Sequence, residues 1–477
     1  MVTIADRPFK FQCLGNHEFD LGPGPLKSFI DATTFPIVAA NLNFSKEPLL
    51  LDTKVRPSVV LEVAGRKVGI IGYLTPNTKI MALDSNVIID DEVEHVRRES
   101  EKLDEQGIDI IVALGHSGYK MDLNVAANVP LVDVVIGGHT DTFLWNGEKP
   151  DKEIPVDVYP KVVTQKSGKK VPVVQAYART KYLGNLTVVF DEKGDLVQFH
   201  GQPIFLDERY AQDTEALDLL EDFRPKILSL DSTVIGSTKV YLDGDNCRFL
   251  ECNFGNMVVD SFVYYKALQN DGEFWTDTAI AVINSGAIRV GINTTKTQGN
   301  ITKGALLGAF PFQQKLVTVE LKGADLKTML ETGVRSSGET SGGEFLQVSG
   351  LLVVADFSQP VGRRIMSVKV RCAECFVPRY EPLHLDRHYK IVVTAFLANG
   401  GDGHKVIRQK SLSFMQESID DLEAVMRYTG SRKSIIPQID ERIIVLNEAN
   451  VRSSARWTTV GGKCLVLVAL GIMKTTF

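Results

Sequence analysis

The 477-residue sequence has no surplus of basic residues. It contains 53 Lys and Arg against 59 Asp and Glu, which gives a net charge of −6. This balance argues against nucleic acid as a partner, so any phosphate chemistry must use local positive groups or bound metal. Internal repeats, low-complexity tracts and heptads are also missing. The length exceeds one ordinary hydrophobic core, and we therefore expect two domains.

An apolar signal segment is missing at the start. The first twelve residues, MVTIADRPFKFQ, contain no apolar h-region and do not form a secretory signal peptide.

The C-terminus has a different pattern. Three small residues, Ser453, Ser454 and Ala455, precede a polar spacer and the ten-residue apolar run CLVLVALGIM. This run is too short to span a bilayer as a helix. It matches a cleaved GPI-anchor signal, which we assign to residues 449–477. The alternative is a hydrophobic tail packed on the surface of a domain.

Cysteines are few. The CAEC motif holds Cys372 and Cys375, but no second CxxC exists to complete a four-thiolate zinc site. Cys247 and Cys252 are also close in sequence, so we expect two short-loop disulfides, whereas Cys13 and Cys464 stand alone. Disulfides indicate an oxidising compartment. Four N-x-S/T sequons favour the same compartment: Asn43, Asn185, Asn293 and Asn300.

The hydrophobic pattern predicts an α/β fold. Continuous apolar runs at 68–74, 109–115 and 132–138 are typical of strands buried on both faces, and 92–107 predicts a charged helix. A helical stretch at 214–230, interrupted by Pro225, is the candidate connector between domains. A second α/β pattern follows from about residue 235, with a helix at 255–269, strands at 278–284 and 388–396, and a strand, glycine turn and helix over 315–334.

Polar residues with metal- and proton-handling groups follow three of the predicted strands. Asn16 and His17 lie in the turn LGNHEFDLG, after a short predicted strand in FKFQC (9–13), and His116 and His139 each follow an apolar strand. In open α/β sheets, ligands bind outside the carboxyl ends of the strands. One such histidine is more often a satisfied loop residue than a ligand, but three in the same topological position predict a site.

These motifs identify a family resemblance. GNHEFD, GHSG and GGHT, in that order, resemble the metallophosphoesterase superfamily, specifically its ecto-5′-nucleotidase and apyrase branch. The resemblance continues through CRFLECNFGN, INSGAIR, FPFQQ and FLANGGDG and covers nearly the whole chain.

The resemblance implies two divalent metal ions about 4 Å apart, which clamp the phosphate and activate a water molecule. Asn16 would be a ligand through its amide oxygen, and His116 and His139 through neutral imidazoles, a set that suits zinc among other metals. His17 would face the scissile phosphate, and Asp20 would hold its ring in the useful tautomer.

The resemblance also implies a substrate half. Arg248 and Arg289 would bind phosphate oxygens, with Asn284 as a further donor. Phe312 and Phe396 would sandwich the base, and Asp402 would accept from the ribose hydroxyls. The alternative for any one of these residues is a core phenylalanine or a solvated arginine, although the three glycines in FLANGGDG favour an exposed loop around Asp402.

The implied fold is a metallophosphatase-type layered α/β/β/α N-terminal domain, joined by a helical linker to a second α/β domain that binds the nucleotide. We assign 1–212 to the first domain, 213–232 to the linker and 233–448 to the second domain. Closure would occur about the linker.

Two family motifs have no match ahead of GNHEFD: a D-x-H and a bridging aspartate. At the second position of the wider GHxH motif stands Asp141, a carboxylate that can also bind a cation. We therefore expect the chain to lack the N-terminal part of the family, to hold one metal weakly and a pair hardly at all, and to show little turnover.

The expected function of the family is metal-dependent hydrolysis of extracellular nucleoside 5′-monophosphates at the cell surface. The alternatives are an apyrase acting on ATP and ADP, and a nucleotide-binding protein without catalysis. The resemblance also implies a homodimer; a membrane partner would come only through the anchor.

Overall fold

The computed structural model describes residues 11–63, 65–81, 85–336 and 343–447. The proposed anchor signal at 449–477, Cys464 and the first ten residues lie outside this part of the chain. Along the described residues, every helix is too short or too polar to cross a bilayer.

A six-stranded sheet forms the centre of the N-terminal half. Its four central strands are parallel and both edge strands are antiparallel, in the spatial order Lys161–Thr164, Lys170–Val174, Val134–Ile136, Ile110–His116, Arg66–Leu74 and Ser58–Val63. The three predicted apolar runs correspond to three of these central strands, whereas Lys170–Val174 was not predicted. The helices Glu92–Glu105 and Tyr119–Asn128 pack on this sheet and bury residues such as Val96 and Val125.

A second, small parallel sheet packs against the first. Its strands are Gln12–Cys13, Ile37–Val38 and Val55–Arg56. The helix Pro23–Ala32 buries Leu26 and Ile30 in the core of this part. The strand predicted in FKFQC is therefore present as two described residues, and it leads directly into the GNHEFD turn.

Two helices connect the halves. Thr214–Glu221 and Arg224–Ser232 replace the single stretch predicted at 214–230, with Pro225 in the first turn of the second helix. Proline is tolerated there because the first-turn N–H groups have no partner within the helix. Neither helix has a buried residue, as expected of a connector.

The C-terminal half contains two larger sheets and a two-stranded one, in which Val234–Ser237 pairs with Asn300–Thr302. The five-stranded sheet has the order Leu346–Ser349, Ile280–Asn284, His388–Thr394, Lys315–Lys322 and Phe414–Asp420; the four-stranded sheet has Tyr380–Pro382, Ile365–Arg371, Leu351–Asp356 and Ile443–Leu446. The main helices are Asn253–Gln269, Lys303–Ala309, Gly323–Gly333, Lys405–Lys410 and Asp421–Gly430. One detail of the prediction is wrong: Gly323 begins a helix rather than forming a separate turn. The mixed α/β class with two domains is confirmed.

Both expected disulfides are present, Cys247–Cys252 and Cys372–Cys375, and Cys13 is a free thiol. Burial and the nearby Glu18 carboxylate raise the pKa of the Cys13 thiol to about 12. Near neutral pH Cys13 is therefore in its thiol form, whereas the thiolate is the reactive form.

Replacing Lys266 by Met tests the packing of the second domain. Lys266 Nζ lies 3.0 Å from Glu417 Oε1, and both side chains are nearly buried. Because the substitution leaves the Glu417 charge without its cation, we expect a loss of about 3–5 kcal/mol in the free energy of unfolding of this domain. Chemical denaturation measures the loss. Lys27→Met, which breaks the exposed Lys27–Asp31 pair, should cost less than about 1 kcal/mol. Equal losses in the two variants would contradict the prediction.

Candidate active site

Parallel pairing brings the predicted ligands to one edge of the N-terminal half. His116 ends the strand Ile110–His116, and His139 follows the neighbouring parallel strand after two glycines. Asn16 lies in the turn after Gln12–Cys13, where the N–H of Gly15 donates to Glu18. A Cβ on Gly15 would lie only 3.0 Å from ring atoms of His116, so glycine there permits the close approach.

Asn16 is the centre of the cluster. Its Oδ1 atom lies 3.0 Å from Nε2 of His116 and 3.1 Å from Nδ1 of His139, and each imidazole N–H donates to it. The two imidazole rings are 5.1 Å apart. The structure thus brings together the three side chains that the sequence suggested as metal ligands.

Both imidazoles are neutral at physiological pH. Burial lowers the pKa of His116 to about 3, with His139 and His17 adding to the effect. Burial lowers the pKa of His139 to about 4, with smaller contributions from His17, Arg289 and Arg248. Neutral imidazole is the form that binds a cation. To act as ligands through the nitrogens that face Asn16, both rings would carry their proton on the other ring nitrogen.

The chemistry of these donors fits one divalent cation. One amide oxygen and two neutral imidazole nitrogens are ordinary ligands, and three protein ligands leave positions open for substrate. Among the described residues, no group of three or more His, Cys, Asp or Glu is placed to hold a metal ion. Asp141 is the carboxylate that the sequence suggested as a further ligand. Its negative charge acts on Arg248 in the second domain, where it raises the pKa of the guanidinium.

His17 and Asp20 interact as expected. Nδ1 of His17 lies 2.9 Å from Oδ2 of Asp20, and both side chains are partly exposed. The hydrogen bond of its Nδ1–H to Asp20 fixes the orientation of the His17 ring. Its ring also stacks on Phe312 of the second domain, with centroids 5.3 Å apart and planes at 12°. Sequence reasoning did not anticipate this contact between the domains.

The second domain contributes the candidate substrate residues. Arg248 lies in the loop closed by the Cys247–Cys252 disulfide. Desolvation is the main cause that lowers the pKa of Arg248, and the positive charge of the nearby Arg289 lowers it further. The guanidinium of Arg289 lies 5.7 Å from the centroid of Phe312. Two neighbouring arginines that repel each other form a site for an anion.

The buried Asn284 and the partly buried Asp402 form a hydrogen-bonded pair near Arg248. Nδ2 of Asn284 donates to Oδ2 of Asp402 at 2.7 Å, while Oδ1 of Asn284 is buried without a protein partner. Burial raises the pKa of Asp402 to about 6. Asp402 adopts a left-handed backbone (φ 50°) in the glycine-rich loop. Phe396 precedes Asp402 in the sequence, lies in the short helix Ala395–Ala398 and is half-buried.

Arg179 is a site residue that sequence reasoning missed. Its Nη2 atom donates to the backbone carbonyl of Arg289 at 2.8 Å and so joins the two domains. Arg179 lies in a segment where Tyr177, Arg179 and Thr180 all have left-handed backbones without being glycine. Such strain persists only where surrounding contacts impose it. A sequence motif does not indicate that a side chain binds a backbone carbonyl in the other domain, so this contact could not be predicted.

Fold and site together define a class. A layered α/β domain with neutral imidazoles at its strand ends faces a second domain with paired arginines and a partly buried phenylalanine. This is the arrangement of a two-domain metallophosphoesterase.

Comparison with known proteins gives the particular family. Residues 234–409 match the family model described as 5′-nucleotidase, C-terminal domain. The chain is 42% identical to Protein 5NUC of Lutzomyia longipalpis, over 91% of this chain and 77% of that protein. It is 39% identical to the human 5′-nucleotidase, over 90% of this chain and 75% of that protein. A 5′-nucleotidase precursor of Thermus thermophilus has a similar structure, with a TM-score of 0.82, 36% identity, and coverage of 92% of this chain and 84% of that one. The chain belongs to the 5′-nucleotidase family.

Replacing Arg179 by Ala tests the contact between the domains. The substitution removes the hydrogen bond to Arg289, and loss of one such bond is worth about 1 kcal/mol. We therefore expect about fivefold weaker nucleotide binding and a larger radius of gyration by small-angle X-ray scattering. Arg209→Ala is the control, because Arg209 is exposed and pairs only with Asp207 nearby. Unchanged scattering and affinity in Arg179→Ala would contradict the interdomain role.

Proposed function

We propose that this protein hydrolyses nucleoside 5′-monophosphates to nucleoside and phosphate. One observation carries the proposal: His17 of the ligand-bearing domain stacks directly on Phe312 of the arginine-bearing domain. A phosphate held by the arginines would therefore lie close to the imidazole cluster. The proposal assigns the metal side to residues 1–212 and the substrate side to 233–448, joined by 213–232.

Asn16, His116 and His139 would hold the cation, and zinc is the metal we propose. A bound divalent cation supplies Lewis-acid polarisation of the phosphate. Two cations, as the family resemblance implies, require a bridging carboxylate in addition to these three neutral donors.

His17 would protonate the leaving 5′ oxygen. Asp20 accepts from the Nδ1–H and fixes the ring, so the doubly protonated His17 would pass its Nε2 proton to the leaving oxygen and be left as neutral imidazole. The pair thus combines a proton donor with the group that orients it.

The second domain would bind and orient the nucleotide. Arg248 and Arg289 would hold the phosphate, and Phe312 with Phe396 would stack on the base. Asp402 would accept hydrogen bonds from the ribose hydroxyls, oriented by the amide of Asn284.

We further propose that the protein acts outside the cell. Its two disulfides and four sequons support an oxidising compartment. Attachment through a GPI anchor and assembly as a homodimer remain proposals from the tail pattern and from the resemblance.

Substitutions on the two sides of the cleft should separate catalysis from binding. His139→Ala removes a cation ligand, so we expect at least a hundredfold loss of phosphate release from AMP with added Zn²⁺. Nucleotide affinity measured in chelator should stay within twofold. Phe312→Leu removes the base contact and should weaken that affinity about tenfold.

The wild-type protein decides between the candidate reactions. Phosphate release from AMP, but not from ADP or ATP, supports the proposal, and release from ADP and ATP indicates an apyrase. Nucleotide binding that survives chelator without turnover under added Zn²⁺ would contradict the proposed reaction and indicate a nucleotide-binding protein.

Nucleoside binding should depend on the ionisation of Asp402. Its raised pKa, about 6, means that the carboxylate form, which accepts from ribose hydroxyls, is complete only above that pH. We expect the affinity for adenosine, which carries no phosphate, to fall as the pH drops from 7.5 to 5. Asp402→Asn should bind more weakly and lose this pH dependence. Calorimetry measures both, and an unchanged pH profile in the variant would contradict the role.

A further inference from the structure

A buried polar network lies behind the ligand-bearing edge. It consists of Tyr73, Asp122 and Gln175, with exposed fractions of 0%, 0% and 3%. Tyr73 belongs to the strand Arg66–Leu74, Asp122 to the helix Tyr119–Asn128, and Gln175 directly follows the strand Lys170–Val174. We call these three residues the rim network. None of them was among the residues that the sequence motifs suggested.

Asp122 fixes the orientation of the Gln175 amide. The hydroxyl of Tyr73 donates to Oδ1 of Asp122 at 2.7 Å, and Nε2 of Gln175 donates to Oδ2 at 2.6 Å. A flipped amide would point its oxygen at the carboxylate, so only one orientation is stable. Buried polar groups of this kind are costly unless fully hydrogen-bonded, and this carboxylate has a donor on each oxygen.

The oriented amide holds the loop that carries His139 on both sides. Nε2 of Gln175 donates to the carbonyl of Gly138 at 3.1 Å, and its Oε1 accepts from the N–H of Thr142 at 3.1 Å. Between these two points the backbones of His139 (φ 79°) and Asp141 (φ 51°) are left-handed. Each such residue costs of order 1 kcal/mol or more, so the loop requires contacts that impose its conformation.

The loop also rests directly on the carboxylate. A Cβ on Gly137 would lie 1.8 Å from Oδ2 of Asp122, which excludes any side chain there. The N–H of Gly137 donates to the carbonyl of Val174, the residue before Gln175. The backbone that leads into His139 is thus fixed on the same side by the strand and by the rim network.

We propose that Gln175, oriented by Asp122, is a positioning residue that places the His139 imidazole beside Asn16 and thereby sets the cation affinity of the cluster. The effect on cation affinity rests on the proposed function, whereas the effect of Gln175 on the position of His139 does not.

Gln165 provides a matched control for a purely structural role. It is also buried (7% exposed), and its Nε2 atom donates to the carbonyls of Ala126 and Val129. These acceptors lie at the C-terminal end of the helix Tyr119–Asn128, whose N-terminal end is at the ligand-bearing edge. Loss of Gln165 should therefore destabilise the same domain from its opposite side.

The test compares Gln175→Met with Gln165→Met. Met has a similar size but makes none of these hydrogen bonds. We expect Gln175→Met to bind Zn²⁺ 10- to 100-fold more weakly by calorimetry, the usual effect of losing a residue that orients a ligand. Gln165→Met should lower the melting temperature while keeping Zn²⁺ affinity within threefold. Equal effects of the two substitutions on Zn²⁺ affinity would overturn the proposal.

Asp122→Asn separates orientation from charge. The asparagine oxygen can still accept from Gln175 while its NH₂ group donates to the Tyr73 oxygen, so we expect Zn²⁺ affinity within threefold of wild type. A loss of Zn²⁺ affinity as large as in Gln175→Met would show that the charge of Asp122 matters rather than its hydrogen bond to Gln175. That result would overturn the orienting role of Asp122.

Crystal structures without metal keep the two proposals distinguishable. In Gln175→Met the 3.1 Å separation between His139 Nδ1 and Asn16 Oδ1 should lengthen, and in Gln165→Met it should not. A wild-type protein that binds no Zn²⁺ would contradict the proposed cation site, while displacement of His139 would still support its positioning by Gln175. An unmoved His139 in Gln175→Met overturns the positioning role in either case.

Discussion

The parallel pairing of four strands determines where the candidate chemistry lies. Because Arg66–Leu74, Ile110–His116, Val134–Ile136 and Lys170–Val174 run in the same direction, their carboxyl ends meet at one edge of the sheet. Their interiors are hydrophobic, so the polar side chains of the site lie where the strands end. The cluster and the rim network both depend on this pairing, since each combines residues from the ends of different strands: His116 and His139 in the cluster, and Tyr73 and Gln175 in the rim network.

The same pairing is accompanied by backbone strain near the site. A histidine presented just beyond a strand needs a sharp change of chain direction, and here non-glycine residues adopt left-handed backbones at His139, Asp141, Tyr177, Arg179 and Thr180. Around His139 the stabilising contacts come from a buried carboxylate and amide. Burial raises the pKa of Asp122 to about 7, although hydrogen bonds from Tyr73 and Gln175 oppose the shift. Strain and buried polarity therefore occur together, next to the residues that would contact a cation.

The sequence predicts the parts of this structure that local pattern encodes. Runs of Val and Ile are buried on both faces, so the central strands and the positions of His116 and His139 could be read from them. The family motifs led to Asn16, Arg248 and Asp402. Gln175 and Arg179 could not be found in this way. Gln175 acts through backbone groups of another segment, and Arg179 binds a carbonyl 110 residues away in the other domain. Neither kind of contact leaves a periodicity or a motif.

The charges across the cleft couple the domains to the substrate. Arg289 lies close enough to Arg248 to lower its pKa, and both arginines, with His17, oppose protonation of His139. Bringing these groups together therefore costs electrostatic free energy when the cleft holds no anion. A phosphate dianion bound between the arginines would reduce that cost, because it would neutralise their charge while the imidazoles stay neutral. Under the proposed function, closure of the two domains would be favoured most by a substrate that carries its charge at one end and an aromatic base at the other.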